Sequence, residues 1–417
     1  MEAFEIREIT EAEDLLRYQK LCTKLFRAPN GGLRDEQTAA ENALNERKNA
    51  PKDNLLLGAF YNGTLYAGMR LLPYDIWFDG APALMCGIGG VISDKECPAR
   101  GAVKALFRDA FVRMREQGRS ISHLYPFEMR YYRQYGYDVS CSMARWRIPV
   151  SYFQTTGDGF VRAFDNSDEM KRQITAVYDA FSKNYNFALR KSSDDWEQFF
   201  AEHDAYSSGW FSYVHETDGK ADAFLSYRCE PNPDRPQDLH AATVWFSSLS
   251  GLRELFSYFK SQIPYADRAV IDLPEGVDLS AVIECSGGWG MRNSDVSVSY
   301  TGTSRAVDAE AILSRAKCRE GADGTVKLRI SGDDYCPWNN GLYTVRLRSG
   351  ASPDVVKTDD PVTVPDIELN ANAFASMIFG RYGVDTCTLL PGVKLYGNAQ
   401  ALSGLFYKKQ CFIDKHF

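Results

Sequence analysis

The sequence has 417 residues, which exceeds what one ordinary hydrophobic core holds and predicts about two to four domains. Hydrophobic residues make up 44% and charged residues 25%, values typical of globular chains rather than of disordered ones. The formal net charge of -7 disfavours nucleic-acid binding, which uses a basic surplus, and favours cationic partners such as amines.

The ten cysteines and five histidines are scattered along the chain. No CxxC pair occurs and no histidine stands at metal-ligand spacing from a cysteine, which argues against a zinc site and a disulfide scaffold. The first five residues lack the basic and apolar regions of a signal peptide, and no run of about 18 apolar residues exists. We therefore expect a cytoplasmic protein with reduced cysteines, no metal and no membrane partner.

Residues 5–150 alternate predicted helices and strands. Recurring leucines predict a helix over 11–26, and Asn62-Gly63 joins two apolar runs at 55–61 and 64–72 as a hairpin. The remaining elements are a strand over 84–93, an amphipathic helix from Val103 to Met114 that Gly118 ends, a strand over 120–127, a short helix over 128–135 and a strand region over 137–152.

The rest of the chain divides into two further parts. Residues 151–300 loosely repeat the order of the first part, which suggests a degenerate second copy of one fold. Its predicted helices cover 167–184, 194–203 and 252–262, and its paired strands cover 209–215 and 221–229. Residues 301–417 read as a small α+β domain with helices over 306–316 and 370–379 and strands over 326–331 and 341–348.

One stretch carries a pattern suited to phosphate binding. Residues 87–94, with the letters GIGGVISD, are followed at 97–104 by CPARGAVK, which predicts a strand, a glycine-bearing turn and a helix start. Free backbone N–H groups and the helix dipole meet there, so a pyrophosphate can bind without a metal. By spacing alone an ordinary strand–turn–helix connection is an equal alternative. A dinucleotide fingerprint fits less well, because Ile92 stands where its third glycine belongs.

The residues from Cys86 to Val139 resemble the GNAT acetyltransferase superfamily and, more narrowly, the Eis (enhanced intracellular survival) family of N-acetyltransferases. Gly89 to Asp94 with Arg100-Gly101 resembles the coenzyme A loop of that family. The stretches 124–128 and 132–137 resemble its strand-then-tyrosine-helix signature, and 334–343 resembles its C-terminal sterol-carrier-like domain. The resemblance spans nearly the whole chain.

This resemblance implies an α+β fold with two tandem GNAT-like domains, 1–150 and 151–300, and a sterol-carrier-like domain, 301–417. It implies that only the first domain binds acetyl-coenzyme A. The implied cofactor contacts are Val91, Ile92, Ser93, Ala99, Arg100, Gly101, Ala102, Val103, Lys104, Phe127 and Glu128. One departure is Pro98, where the family loop usually begins with Arg or Gln; a proline removes an N–H donor and a positive charge.

The resemblance also implies that Tyr132 is the general acid and that the carboxylate of Phe417 is the general base. A tyrosine has a reference pKa of about 10 and is protonated at neutral pH. An α-carboxyl, at about 3.3–3.7, becomes a credible base only if burial raises its pKa or if it orients an amine that is already partly neutral. The alternative for Tyr132 is packing in an aromatic cluster, and chain ends are usually frayed. The apolar content of residues 411–417 nevertheless favours an ordered terminus. His123 is interpreted as a packed or hydrogen-bonded strand residue rather than as a base.

Three functional interpretations remain open at this point. The first is acetyl transfer to a primary amine of a small cationic acceptor, such as an aminoglycoside or a polyamine. The second is acetylation of protein lysines or of a cell-wall amine, and the third is non-catalytic binding of coenzyme A or of a lipid in the sterol-carrier-like domain. His416 precedes the terminus where the best-known family member has an acidic residue that helps to hold aminoglycosides. The resemblance further implies a homohexamer.

Overall fold

A computed structural model describes residues 4–26, 44–45, 53–156, 160–203, 209–232, 235–261, 266–284, 294–415 and 417. The chain has a mixed α+β fold, as the sequence predicts. The helices are α1 (Ala12–Phe26), α2 (Ala102–Glu116), α3 (Met129–Arg133), α4 (Asp168–Ser182), α5 (Ser193–Glu202), α6 (Leu249–Ser261), α7 (Ala309–Leu313), α8 (Ala371–Ile378) and α9 (Ala399–Leu402).

The strands form two sheets. They are β1 (Glu5–Glu8), β2 (Leu55–Tyr61), β3 (Thr64–Phe78), β4 (Ala81–Ser93), β5 (Ile121–Leu124), β6 (Asp138–Pro149), β7 (Phe160–Ala163), β8 (Phe211–Thr217), β9 (Lys220–Asn232), β10 (Arg235–Phe246), β11 (Arg268–Pro274), β12 (Asp295–Ala306), β13 (Thr325–Ile330), β14 (Gly341–Arg346), β15 (Asp354–Thr358), β16 (Ile367–Leu369) and β17 (Val393–Leu395). The larger sheet runs β1-β2-β3-β4-β5-β12-β6-β11-β10-β9-β8-β7, and the smaller runs β15-β14-β13-β16-β17.

The large sheet joins the first and second halves of the chain through strands that are distant in sequence. β12 lies between β5 and β6, pairing Ala306 with Ile121 on one side and Asp295 with Arg147 on the other. β6 then pairs with β11 of the second half. The two halves therefore share one continuous hydrogen-bonded sheet, in which β4 and β5 on one side and β10 and β11 on the other are parallel pairs.

Several predicted elements are wrong in their bounds; the strand expected over 64–72, for example, continues as β3 to Phe78. The strand expected over 120–127 ends at Leu124, because the chain turns away toward α3 and leaves β5 with four residues. The helix expected over 306–316 covers only Ala309–Leu313. Its start is fixed by Asp308, whose side chain accepts a hydrogen bond from the Ala311 N–H, and Ala306 belongs to β12 instead.

The C-terminal domain packs its helix α8 and its sheet against the first half. One core contains Phe78 and Met85 of the first half together with Leu328, Phe374 and Met377, all at most 1% exposed. These side chains form one hydrophobic core that the first half and the C-terminal domain share. A buried ion pair between Arg305 of β12 and Asp333, 2.5 Å apart, further ties the domain to the large sheet.

Candidate active site

The site begins where strand β4 separates from β5. The two strands pair from Met85–Ile121 to Ile88–Leu124, and β5 then ends, while β4 continues along β3 as far as Ser93. On the β5 side, the backbone after Ile88 is left without a ladder partner. A register shift in the β3–β4 ladder places an extra residue in β4 here, so its backbone turns toward the opening.

The glycines at 87, 89 and 90 all lie within β4, which confirms the strand predicted over 84–93, and the β3–β4 ladder has a bulge there. Gly90 has φ +57°, and a Cβ added to it would meet the Tyr18 hydroxyl at 2.2 Å. Tyr18 in turn donates a hydrogen bond of 2.8 Å to the Gly90 carbonyl. Through Tyr18, helix α1 therefore holds the β4 bulge at Gly90 in place.

The helix α2 presents an open N-terminus to the same side. Its N-cap, Gly101, has a left-handed φ of +101°, makes no side-chain cap hydrogen bond, and has no atom within 4 Å of where its Cβ would be. The side chains of Ala102 and Val103 are buried against the sheet, so they offer a ligand only their backbone N–H groups. Arg100 and Lys104 are exposed and add positive charge. This arrangement fits a pyrophosphate.

The residues before this helix are positioned by polar contacts. Ser93 is exposed at the end of β4, Ile92 is buried, and Val91 is half-buried. Asp94 pairs with Arg17 of α1 at 3.1 Å, which fixes the start of the loop that leads through Pro98 and Ala99 to Gly101.

Phe127 and Glu128 lie on the other side of the opening, after β5. The Phe127 ring is 71% exposed and lies 5.5 Å from the rings of Tyr131 and Tyr132. The Glu128 side chain accepts a hydrogen bond from the Arg130 N–H and so caps α3. Phe127 is therefore an exposed apolar surface at the edge of the site, whereas the carboxylate of Glu128 has a structural role.

Tyr132 sits in an aromatic cluster but keeps its hydroxyl available. The residue is 4% exposed, and its ring packs against Phe107 and Tyr131 as well as Phe127. Burial, together with the neighbouring Tyr131, raises the pKa of Tyr132 well above 10. Its hydroxyl makes no hydrogen bond to any described residue. It is thus a protonated hydroxyl free to donate.

Phe417 is inserted into the first half, beside the strand that forms the opening. A Cβ added to Gly87 would meet the Phe417 ring at 2.5 Å, and one added to Gly89 would lie 3.3 Å from the terminal carbonyl carbon. The ring lies 5.1 Å from those of Tyr74 and Tyr125. Glycine on a strand permits such close approach. The terminal carboxyl group therefore lies against β4 at the point where β4 leaves β5.

The segment before the terminus is held by several contacts. Gln410 and Phe412 exchange backbone hydrogen bonds with Asn186, at 2.9 and 3.0 Å. Asp414 pairs with Lys191 at 2.6 Å, and both side chains are 9% exposed. Lys415 pairs with Asp195 of α5 at 2.5 Å, and the Lys415 carbonyl accepts a hydrogen bond from Tyr125. His416, whose identity bears on aminoglycoside recognition, lies outside the described residues.

His123 is a packed, hydrogen-bonded strand residue, as the sequence analysis expects. Its side chain is fully buried, and Nδ1 lies 2.8 Å from the Ser304 hydroxyl oxygen. The imidazole also packs edge-on against the Phe417 ring, with centroids 6.1 Å apart. It thus supports the ring of the terminal residue from beneath.

The predicted site residues lie on the elements that follow the separation of β4 from β5. Val91–Ser93 end β4, the loop 99–104 leads into α2, and Phe127 and Tyr132 follow β5. Phe417 lies beside β4 at Gly87 and Gly89. The aromatic rings that pack against Tyr132 are not the ones that pack against Phe417. Sequence reasoning missed Tyr74 and Tyr125, which surround the Phe417 ring, and missed the role of Gly87. Glycines repeated within an apolar strand were the available signal.

Comparison with known families identifies two parts of the chain. Residues 5–140 match the acetyltransferase (GNAT) domain, and residues 309–413 match the sterol carrier protein domain. This chain is an enzyme of the acyltransferase class. The GNAT fold implies an acyl-coenzyme A co-substrate, and GNAT acetyltransferases act on small-molecule acceptors. No curated protein matches significantly.

Solved structures share the fold over the full length. A probable N-acyltransferase from Enterococcus faecalis V583 is 18% identical with a TM-score of 0.79. A GCN5-related N-acetyltransferase from Anabaena variabilis is 16% identical with a TM-score of 0.80, and Eis1 from Mycobacterium abscessus is 17% identical with a TM-score of 0.75. Each comparison covers 100% of both chains. The architecture is therefore two tandem GNAT-like domains followed by a sterol-carrier-like domain.

Two further features concern the described residues. No group of three or more His, Cys, Asp or Glu side chains there is arranged to hold a metal ion. Within the same residues, no helix is long and apolar enough to cross a membrane.

Proposed function

We propose that this chain is an Eis-like, acetyl-coenzyme A-dependent N-acetyltransferase that acts on a primary amine of a cationic acceptor. The Phe417 carboxylate accepts the proton that the ammonium loses, and Tyr132 donates a proton to the departing sulfur. The observation that carries this proposal is the position of the terminal carboxyl group beside Gly89, the residue that follows the last pair of β4 with β5.

Acetyl-coenzyme A is proposed to bind through the eleven residues that the family resemblance indicates. The first N–H groups of α2 receive the pyrophosphate, with Arg100 and Lys104 supplying positive charge. The open space at Gly101 leaves room for phosphate oxygens to approach the backbone. The unpaired backbone of Val91–Ser93 is proposed to hold the pantetheine arm and the thioester carbonyl, and Phe127 to cover it.

The co-substrate supplies an acyl thioester, and the chain supplies the proton transfers. Because burial raises the pKa of Tyr132, this hydroxyl stays protonated at all ordinary pH values and can serve as a donor. The rings of Tyr74 and Tyr125 hold the Phe417 ring, and the terminal carbonyl carbon lies 3.3 Å from where a Cβ on Gly89 would be.

Other properties are proposed by family resemblance. We propose domain bounds of 1–150, 151–300 and 301–417, a cytoplasmic location and a homohexamer. The net charge of -7 favours a cationic small-molecule acceptor, with neither nucleic acid nor membrane as a partner. No metal takes part in the proposed reaction.

The test is an acetylation assay with the full chain, acetyl-coenzyme A and a panel of primary amines that includes polyamines, aminoglycosides and a lysine peptide. Thiol release and the mass of the acetylated amine are both measured. The expected result is amine-dependent thiol release with matching N-acetylated product. Binding of acetyl-coenzyme A by calorimetry without amine-dependent thiol release for any acceptor would instead favour the non-catalytic alternative.

A further inference from the structure

The segment that carries Tyr132 is too short to hold its own shape. Helix α3 has five residues, and an isolated helix of fewer than about 12 residues is marginal in water. The Tyr132 hydroxyl has no hydrogen-bond partner among the described residues, so the place of this hydroxyl depends on the packing of its ring and on the backbone of the segment. Contacts that hold this backbone from outside therefore bear on the proposed proton donor.

The C-terminal domain holds the turn between α3 and β6 through Asn372. This residue is the second of α8, and its Nδ2 donates hydrogen bonds to the Arg133 carbonyl, at 2.9 Å, and to the Tyr137 carbonyl, at 2.7 Å. Arg133 directly follows Tyr132, and Tyr137 directly precedes β6. One side chain of another domain thus joins the two ends of the turn. An ion pair of Arg133 with Asp138 links the same ends, but its guanidinium is 54% exposed, and exposed pairs contribute little.

Arg305 holds the middle of the same turn. Its guanidinium donates a hydrogen bond to the Tyr135 carbonyl, and a Cβ on Gly136 would collide with it. The side chain is 1% exposed and is fixed by Asp333 of the C-terminal domain, whose two carboxylate oxygens lie 2.5 and 2.7 Å from Nη2. Removing one partner of such a buried pair leaves an uncompensated charge and endangers the fold. Asn372 is half-buried and uncharged, so it is the milder probe of the turn.

We propose that Asn372 is a positioning residue for Tyr132. By holding the Arg133 and Tyr137 carbonyl groups, it keeps the turn after α3, and with it the Tyr132 hydroxyl, in the place that proton donation requires. The C-terminal domain then has a role in the reaction besides carrying Phe417. The inference rests on the proposed role of Tyr132 as proton donor, and its test separates the failure of one from the failure of the other.

The test is a double-mutant cycle of Asn372→Asp with Tyr132→Phe in the full chain. Aspartate has the shape of asparagine but no N–H donor, so both bonds to the turn are lost. Thiol release from acetyl-coenzyme A is measured with the most active amine of the panel proposed above. We expect Asn372→Asp to lower kcat by about tenfold and to change the KM for acetyl-coenzyme A by less than about twofold, because the substitution acts on the proton donor and not on binding. In the Tyr132→Phe background, Asn372→Asp should leave kcat unchanged.

Amide hydrogen exchange reports on the turn without any assay of activity. The Tyr135 N–H donates to the Tyr132 carbonyl and the Gly136 N–H donates to the Arg133 carbonyl, both at 3.0 Å. Loss of the Asn372 bonds lets the turn open more often, so both amides should exchange faster in Asn372→Asp than in the native chain. Circular dichroism and the melting temperature check that the rest of the chain is folded.

The matched control is Asn398→Asp. Asn398 is exposed in the same domain, and its Nδ2 donates to the Thr325 carbonyl of that domain at 3.4 Å, so the same chemical change is made away from the turn. It should keep native kcat and native exchange of the two amides.

Three outcomes overturn the positioning role while the proton donor stands, all with a Tyr132→Phe variant that has lost activity. In these, Asn372→Asp keeps native kcat or native amide exchange, lowers kcat equally in both backgrounds, or has no larger effect than Asn398→Asp. Native kcat in Tyr132→Phe would instead refute the proton donor, and the positioning role with it.

Discussion

In each half of the large sheet two parallel strands separate after a short ladder, β4 from β5 and β10 from β11, and the two clefts that result lead into different helix starts. In the first half, residues 94–101 join β4 to α2, and Gly101 leaves the helix N-terminus open. In the second half, only Ser247 and Ser248 join β10 to α6, and Asp222 covers the helix start. The separation of two parallel strands therefore provides a cleft, whereas the connection that follows decides whether a phosphate can be held beside it.

The terminal segment links these two clefts. Residues 412–415 form a wall of the second cleft, and Phe417 enters the first. The ion pairs of Lys191 and Asp195 fix this segment to the second half. The second half thus positions the proposed base even though its own helix start is closed to phosphate.

The largest effect is expected from extending the chain by one glycine after Phe417. The carboxylate would move by up to about 3.6 Å, while the phenyl ring can keep its place beside Gly87. We expect kcat to fall by about 10³-fold or more, because proton transfer requires close positioning. Steady-state thiol release measures this loss. An N-terminal glycine extension is the control, and an extended chain with native kcat would remove Phe417 from the mechanism.

Tyr132→Phe should have the next largest effect. The substitution keeps the ring packing and removes the proposed proton donor, so kcat should fall by about 10²-fold with little change in melting temperature. Tyr135→Phe, in the same aromatic cluster, is the control and should retain most activity. If Tyr132→Phe and Tyr135→Phe lose activity and stability to the same extent, the role of the Tyr132 hydroxyl is in packing and not in catalysis.

The pH profile of the native enzyme gives a second measure of Tyr132. Because burial raises its pKa above 10, the acid form persists as pH rises, and it is lost only when pH passes the raised value. We therefore expect that Tyr132 causes no fall in kcat between pH 8 and 10. Any fall that the native enzyme shows in this range should also be present in Tyr132→Phe. An alkaline limb centred below 10 and absent from the variant would contradict the burial argument.

Local elements of the fold were predictable because short-range chemistry decides them. The hairpin at Asn62-Gly63 has φ values of +49° and +76°, the positive pair that Asn-Gly favours. The apolar stripe of α2 is buried as its periodicity predicts. β12 was not predicted, for two reasons. Its partners β5 and β6 lie far away in the sequence, and Val296 and Val298 are exposed, so the strand shows no simple alternation of buried and exposed residues.

The site was predictable to a different extent. The loop 99–104 and the tyrosine helix follow local sequence, and the family resemblance supplied Tyr132 and Phe417. The surroundings of Phe417 could not be derived, because they depend on how a terminal segment crosses two domains. The ion pair of Lys415 with Asp195 and the hydrogen bond from Tyr125 join residues that no local pattern connects.

Gly87→Ala tests the contact between β4 and the terminal ring. The added methyl group would lie 2.5 Å from the Phe417 ring, so the ring must shift, whereas the backbone at this position has no left-handed strain. We expect kcat to fall by about tenfold with unchanged affinity for acetyl-coenzyme A. Gly397→Ala, at a position with open space and ordinary φ, is the control. Equal kcat for both variants would show that the ring position does not matter.

Gly101→Val tests the open helix start, compared with Gly118→Val at the other end of α2. Both glycines have positive φ, +101° and +70°, and open surroundings, so both variants carry similar backbone strain. Only Gly101→Val should weaken acetyl-coenzyme A binding, by about tenfold in calorimetry. If the two variants bind equally well, the proposed pyrophosphate position at α2 is wrong.

The smallest functional effect is expected from Asp222→Ala, which opens the helix start of the second half. The change leaves Ser248, Thr217 and His215 without their shared acceptor, so stability should fall by about 1–3 kcal/mol, measured by chemical unfolding. Acetyl-coenzyme A should still bind at one site per chain, because the connection through Ser247 and Ser248 remains too short to form a phosphate loop. A second nucleotide site in the variant would show instead that one carboxylate, and not the length of the connection, separates the two clefts.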